Sequence, residues 1–139
     1  MKITHVKQPT SNTCASACLA MLTQRPIEQI IEEFHHEYQK GHTDELRYLL
    51  EKGYDITIPS VKDSFLIRSE TICLACVPSL NIKGGMHCVV VDLRSDSAAM
   101  YDPNYGREGL WSYALNETDE DNKLFKLSNF VVMCEFNYQ

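Results

Sequence analysis

A change of residue pattern near Gly53 constrains the fold of this chain more than any other feature of its sequence. Apolar residues recur at helical spacing before Gly53, whereas short runs rich in β-branched residues, separated by turn residues, follow it. This order predicts an α+β fold, in which N-terminal helices pack on a C-terminal antiparallel sheet. The chain has 139 residues and no internal repeat or linker, so we expect one domain over residues 1–139.

The first half predicts three helices. Residues 14–22 are small or apolar, which indicates a buried first helix. Pro26 suits the first turn of the second helix, and Thr43 is expected to cap the third, which Gly53 ends. The apolar residues expected to face inward from the last two helices are Ile27, Ile30, Ile31, Phe34, Leu46, Leu49 and Leu50.

The second half predicts five strands, over residues 55–59, 71–77, 87–93, 98–102 and 130–136. The run over residues 71–77 is almost continuously apolar, which is typical of a central strand buried on both faces. The next two strands are expected to form a hairpin around residues 94–97. Residues 60–69 and 116–123 give no specific signal.

Charge and hydropathy exclude two classes of partner. The net charge is −6 and the pI about 5.3, which argues against a nucleic-acid partner because phosphate binding needs a basic surface. No run approaches the roughly 18 apolar residues of a membrane span, and residues 1–10 lack the apolar core of a secretory signal. We therefore expect a cytoplasmic protein without a membrane span.

The six cysteines predict reduced thiols, because a cytoplasmic chain of this size does not need disulfides to fold. Cys73 and Cys76 form a CxxC pair, which elsewhere marks zinc or redox sites. This pair lies in a predicted strand, where residues three apart point to opposite faces. Zinc is therefore disfavoured, and no cofactor is expected.

Four residues predict nucleophilic chemistry. Cys14 begins a helix, where free N–H groups and the helix dipole stabilise a thiolate. His87 and Asp102 lie on two strands of the predicted hairpin, so an imidazole and a carboxylate that orients it can meet at one rim of the sheet. Gln8, six residues before Cys14, can offer its amide N–H to a developing oxyanion.

These residues and their surroundings resemble the bacteriocin-processing, double-glycine leader peptidases and their stand-alone relatives. The resemblance spans Gln8 to Gly106 and rests on the ordered set Gln8, Cys14, Ala17-Cys18-Leu19-Ala20-Met21, His87-Cys88-Val89-Val90-Val91 and Asp102-Pro103. It implies a papain-like fold and a cysteine peptidase acting on a peptide or protein substrate. The resemblance also implies that Cys14 is the nucleophile, His87 the base, Asp102 the residue that orients His87, and Gln8 the donor to the oxyanion. Ala15 departs from the glycine that commonly follows the nucleophile in that family.

Other interpretations stay open. Cys14 and His87 also suit a buried core, Asp102 before proline suits a plain turn, and Gln8 needs no functional explanation. The same triad serves a glutamine deamidase or another thiol acyl-transfer effector acting on a protein. The same fold also serves a catalytically silent binding module. Whether Trp111 and Tyr113 belong to the core or to a groove wall is open too.

Overall fold

The computed structural model describes residues 1–137 and confirms the α+β class, since helices come first and pack on a mostly antiparallel sheet. Helix α1 spans Cys14–Thr23 and helix α3 spans Glu45–Glu51. Helix α2 is continuous over residues 27–39 and consists of Ile27–Ile30, a π-helical turn Ile31–His35, and His36–Gln39. The strands are β1 Asp55–Thr57, β2 Ile72–Pro78, β3 Met86–Asp92, β4 Ala99–Tyr101, β5 Ser112–Ala114, β6 Leu124–Lys126 and β7 Val131–Asn137.

Helix α1 is buried along its length, as its uncharged sequence predicts, and every residue from Ala15 to Leu22 is inaccessible. Thr13 precedes it, but the Thr13 hydroxyl bonds back to Thr10 instead of capping the helix. The first N–H groups of α1 therefore keep no capping side chain. None of the helices within residues 1–137 is long and apolar enough to cross a lipid bilayer.

The main sheet has the strand order β1-β7-β2-β3-β4, and all its neighbouring strands are antiparallel. Strand β2 lies in the middle, as predicted, and the predicted hairpin is formed by β3 and β4. Strand β4 is short and pairs only with residues 90–92 of β3. The first half of β3 therefore has an open edge, and α1 packs against β3 from the helix-covered face of the sheet.

Both faces of the main sheet are buried, because each carries its own apolar core. The helices cover one face, which includes Leu74, Val90 and Cys134. The opposite face carries Cys73, Ala75, Val77, Val89, Val91 and Val132, and Tyr113 packs on it. Alternation along β2 places Cys76 on the helix side, so the CxxC cysteines point to opposite faces as predicted. All six cysteines are free.

Helix α3 differs from its prediction in cap and in orientation. The N-cap is Asp44, whose carboxylate accepts the Arg47 N–H at 2.9 Å, and not Thr43. The buried face consists of Glu45, Tyr48 and Leu49, whereas Leu50 is 53% exposed. These three residues follow the helical spacing i, i+3, i+4. The prediction missed this face because it considered apolar residues only, and Glu45 is acidic.

Strands β5 and β6 form a separate two-stranded parallel sheet that the sequence pattern did not predict. Each strand has only three residues, too few for a periodicity to be visible. Residue Tyr113 of β5 belongs to the second core, and its hydroxyl donates to the Pro78 carbonyl at 2.6 Å. The small sheet thus attaches to the end of β2.

We expect Leu74→Ala to lower the free energy of unfolding by about 2–5 kcal/mol, because Leu74 is fully buried under the helices and the substitution leaves a cavity. Urea denaturation measures the change. The control is Leu66→Ala, which removes the same atoms at a 58% exposed position and should cost less than about 0.5 kcal/mol. Equal losses in the two variants would contradict the assignment of β2 to the centre of the core.

Candidate active site

The structure brings Cys14, His87 and Asp102 together at the open edge of the main sheet. Cys14 is the first residue of α1, His87 is the second residue of β3, and Asp102 directly follows β4. Helix α1 packs against β3, and Cys14 and His87 line one cavity. Three of the four predicted residues therefore meet at one place.

His87 and Asp102 are joined by a hydrogen bond of 2.6 Å between Nε2 and Oδ1, and both side chains are buried. Asp102 is fixed in turn, since Oδ1 also accepts the Asn104 N–H and Oδ2 accepts the Tyr113 N–H, each at 2.8 Å. With Nε2 engaged by Asp102, Nδ1 is the ring nitrogen left to exchange a proton with Cys14. A carboxylate thus holds this imidazole in one orientation, as a general base requires.

The Cys14 thiol is half-buried and electrostatically activated. Hydrogen bonds with the Cys88 thiol and with His87 hold the pKa of Cys14 well below its usual range, although burial opposes them. Burial alone would lower the pKa of His87, but its hydrogen bonds with Asp102 and Cys14 raise that pKa to about 9. Both shifts favour the same pair at neutral pH, a thiolate beside an imidazolium.

Cys88 and Glu45 are neighbours of this pair that sequence reasoning missed. Glu45 Oε1 lies 4.0 Å from Cys88 Sγ, and both side chains are buried. Burial raises the pKa of the Glu45 carboxyl, which favours its neutral form near the thiolate. Consecutive strand residues point to opposite faces, so no sequence signal indicates that Cys88 as well as His87 approaches Cys14.

Gln8 lies in the segment before α1, and its side chain is almost completely buried. Its Nε2 donates to the Thr10 carbonyl at 2.7 Å, and its backbone N–H donates to the Pro103 carbonyl at 3.0 Å. The second bond fastens this segment beside Asp102. Gln8 Oε1 is buried without a partner among residues 1–137. The structure thus holds Gln8 near the triad, with one of its two amide hydrogens used by Thr10.

A cavity of about 210 Å³ lies over Cys14 and His87. Its other walls come from the segment before α1, from the β2–β3 loop with the start of β3, and from the segment after Asp102. The residues are Ser11, Ser79, Asn81, Ile82, Met86, Asn104, Arg107 and Leu110. A larger cavity of about 430 Å³ lies beside Asp102 and does not include Cys14 among its lining residues. The smaller cavity is the one in which a bound group could meet the thiolate.

Asn81 is a further wall residue that the sequence did not single out. Its side chain forms two hydrogen bonds of 2.8 Å with the backbone of Trp111, one to the N–H and one to the carbonyl. This pair ties the loop after β2 to the segment before β5. The backbone of Trp111 thus positions Asn81 in the cavity wall. Tyr113 belongs to the core, and its N–H donates to Asp102.

No protein-family model, curated protein or solved structure matches this chain. A functional conclusion therefore depends on the geometry of the site.

We expect Cys88→Ala to raise the pKa of Cys14 by about 1–2 units, because it removes the hydrogen bond that lowers this pKa most. The rate of iodoacetamide labelling at Cys14 is followed against pH by mass spectrometry, and the midpoint of this profile gives the pKa of the Cys14 thiol. Cys134→Ala is the control, since it removes a buried thiol from β7 on the same face of the sheet. An unchanged midpoint in Cys88→Ala would mean that Cys88 does not stabilise the thiolate.

Proposed function

We propose that this protein is a thiol-dependent amide hydrolase that cleaves peptide bonds, with Cys14 as nucleophile. The observation that carries the proposal is that Cys14 shares a cavity with His87, which Asp102 holds through a hydrogen bond of 2.6 Å. The pKa shifts of Cys14 and His87 both favour an ion pair. Buried ion pairs are costly, and shifts of this kind are concentrated at functional sites. A peptide or protein is the proposed substrate.

The proposed reaction has two steps. The Cys14 thiolate attacks the amide carbonyl carbon, and His87 Nδ1 gives its proton to the leaving amine, so that the C–N bond breaks and a thioester remains. In the second step His87, now neutral, takes a proton from water. The hydroxide formed attacks the thioester and releases the acid and the thiolate. Asp102 keeps the ring oriented throughout because it holds Nε2.

The oxyanion of each tetrahedral intermediate needs hydrogen-bond donors. The Cys14 N–H, free at the beginning of α1, is the first proposed donor. The amide hydrogen of Gln8 that Thr10 does not use is the second. Support for this role is the burial of Gln8 and its attachment beside Asp102 through Pro103.

We further propose a papain-like fold and kinship with the double-glycine leader peptidases. The order of nucleophile, base and carboxylate along the chain supports this, as does the N-terminal placement of the nucleophile on a buried helix that packs against the sheet. Deamidation of a protein glutamine would use the same residues and is separated from proteolysis by its products.

We expect Cys14→Ala to abolish turnover while leaving the fold intact, because alanine suits the buried start of α1. Peptide pools treated with the protein are analysed by mass spectrometry for new N-termini, which mark proteolysis, and for deamidated side chains, which mark the alternative. Cys18→Ala is the matched control, since Cys18 lies one turn further along the same helix and is fully buried. Full activity in Cys14→Ala, or its loss in a folded Cys18→Ala, would show that the nucleophile is misassigned.

We expect Asp102→Asn to lower kcat by about 10²–10⁴-fold, the usual contribution of general acid–base catalysis. The carboxylate of Asp102 accepts three hydrogen bonds, and an NH₂ group in place of either oxygen leaves at least one N–H donor without its acceptor. The variant should also lose about 1–3 kcal/mol of stability. Undiminished kcat in this variant would remove Asp102 from the mechanism.

A further inference from the structure

Arg107 is a charged side chain in the cavity over Cys14 that the proposed reaction does not use. Apart from His87, it is the only cationic side chain among the residues that line this cavity, and no aspartate or glutamate is among them. Within residues 1–137, no carboxylate forms an ion pair with Arg107. Its one side-chain hydrogen bond there is from Nη1 to Asn104 Oδ1, at 3.1 Å. Most of its five N–H donors are therefore free for a bound group.

The position of Arg107 is coupled to the triad through a tight turn. Asn104, which is buried, donates its N–H to Asp102 Oδ1 and accepts the Arg107 N–H on its carbonyl at 3.0 Å. Its side-chain oxygen then receives the guanidinium. The turn that holds Asp102, and through it His87, therefore also holds a cation in the cavity that Cys14 lines.

We infer that Arg107 binds a carboxylate of the substrate, so that the cavity over Cys14 selects acidic peptides. The inference rests on the proposed function, whose substrate class it narrows. A guanidinium binds a carboxylate through two parallel hydrogen bonds, which a half-buried site strengthens because it is less screened than open solvent. An uncharged cavity wall of Ser79, Asn81 and Leu110 leaves Arg107 as the group that distinguishes a charged from a neutral substrate.

The carboxylate has two possible sources with the same chemistry. It is either the side chain of a glutamate or aspartate near the scissile bond, or the free C-terminus of a short peptide. The cavity volume of about 210 Å³ accommodates one side chain or one terminal residue.

The first experiment needs no known substrate. Cys14 is alkylated with iodoacetate, which carries a carboxylate, and with the neutral iodoacetamide, and the ratio of the two rates is measured. We expect Arg107→Gln to lower this ratio by about ten-fold or more, since it removes the charge that binds the reagent. Arg107→Lys keeps the positive charge but lacks the paired N–H donors of the guanidinium. The ratio of the iodoacetate rate to the iodoacetamide rate should therefore fall less in this variant than in Arg107→Gln. Lys83→Gln is the control, because Lys83 is exposed beside Ile82 and does not line the cavity.

The outcomes of this experiment distinguish carboxylate binding by Arg107 from the proposed function of Cys14. An unchanged ratio in Arg107→Gln, or an equal fall in Lys83→Gln, overturns the inference and leaves the proposed function in place, provided that Cys14 remains the fastest-labelled cysteine. If Cys14 reacts no faster than the other cysteines with either reagent, the proposed function fails, and the inference fails with it.

The second experiment identifies the source of the carboxylate. Cleavage is compared for matched peptides that differ by glutamate against glutamine near the scissile bond, and by a free against an amidated C-terminus. A preference for glutamate that disappears in Arg107→Gln supports side-chain recognition, whereas a preference for the free terminus that disappears supports terminal recognition. Equal cleavage of all four peptides by the wild type would overturn the inference.

Discussion

The carboxylate of Asp102 is the group on which the rest of this site depends. Buried in the structure, it accepts hydrogen bonds from His87, from the N–H of Asn104 and from the N–H of Tyr113. A buried charge of this kind is stable only when its oxygens are satisfied, and each donor here comes from a different segment. The same three bonds that satisfy the carboxylate therefore join β3, the turn after β4 and β5 around Cys14.

Two further buried polar groups lie near Cys14 on the helix side of the sheet. The Cys88 thiol approaches the nucleophile, and the buried Glu45 carboxyl stands behind Cys88. Burial raises the pKa of the Glu45 carboxyl, which shifts this group toward its neutral form.

Much of the fold and the main chemical group could be predicted from the sequence, for identifiable reasons. An apolar run long enough to show β character located β2, and a helix start located Cys14. The α3 face was wrong at Leu50 because a buried Glu45 does not look like a core residue, and β5 and β6 were too short to show a period. Cys88 was missed because its role arises from the packing of α1 on β3. Asn81 was missed because its side chain bonds to the backbone of a distant residue, and Arg107 because a tight turn positions it. None of these arrangements leaves a local sequence pattern.

The ion pair of Cys14 and His87 is the central claim, and the protonation of His87 tests it most directly. Nuclear magnetic resonance of the ¹⁵N-labelled imidazole, titrated in the wild type and in Cys14→Ala, observes both ring nitrogens. Because the pKa of His87 is raised to about 9, both nitrogens should carry protons near pH 7 and lose the charge only as the pH rises through that value. In Cys14→Ala the charge should be lost at lower pH, since the thiolate no longer offsets burial. A neutral His87 near pH 7 in the wild type, or an unchanged titration in Cys14→Ala, would contradict the account.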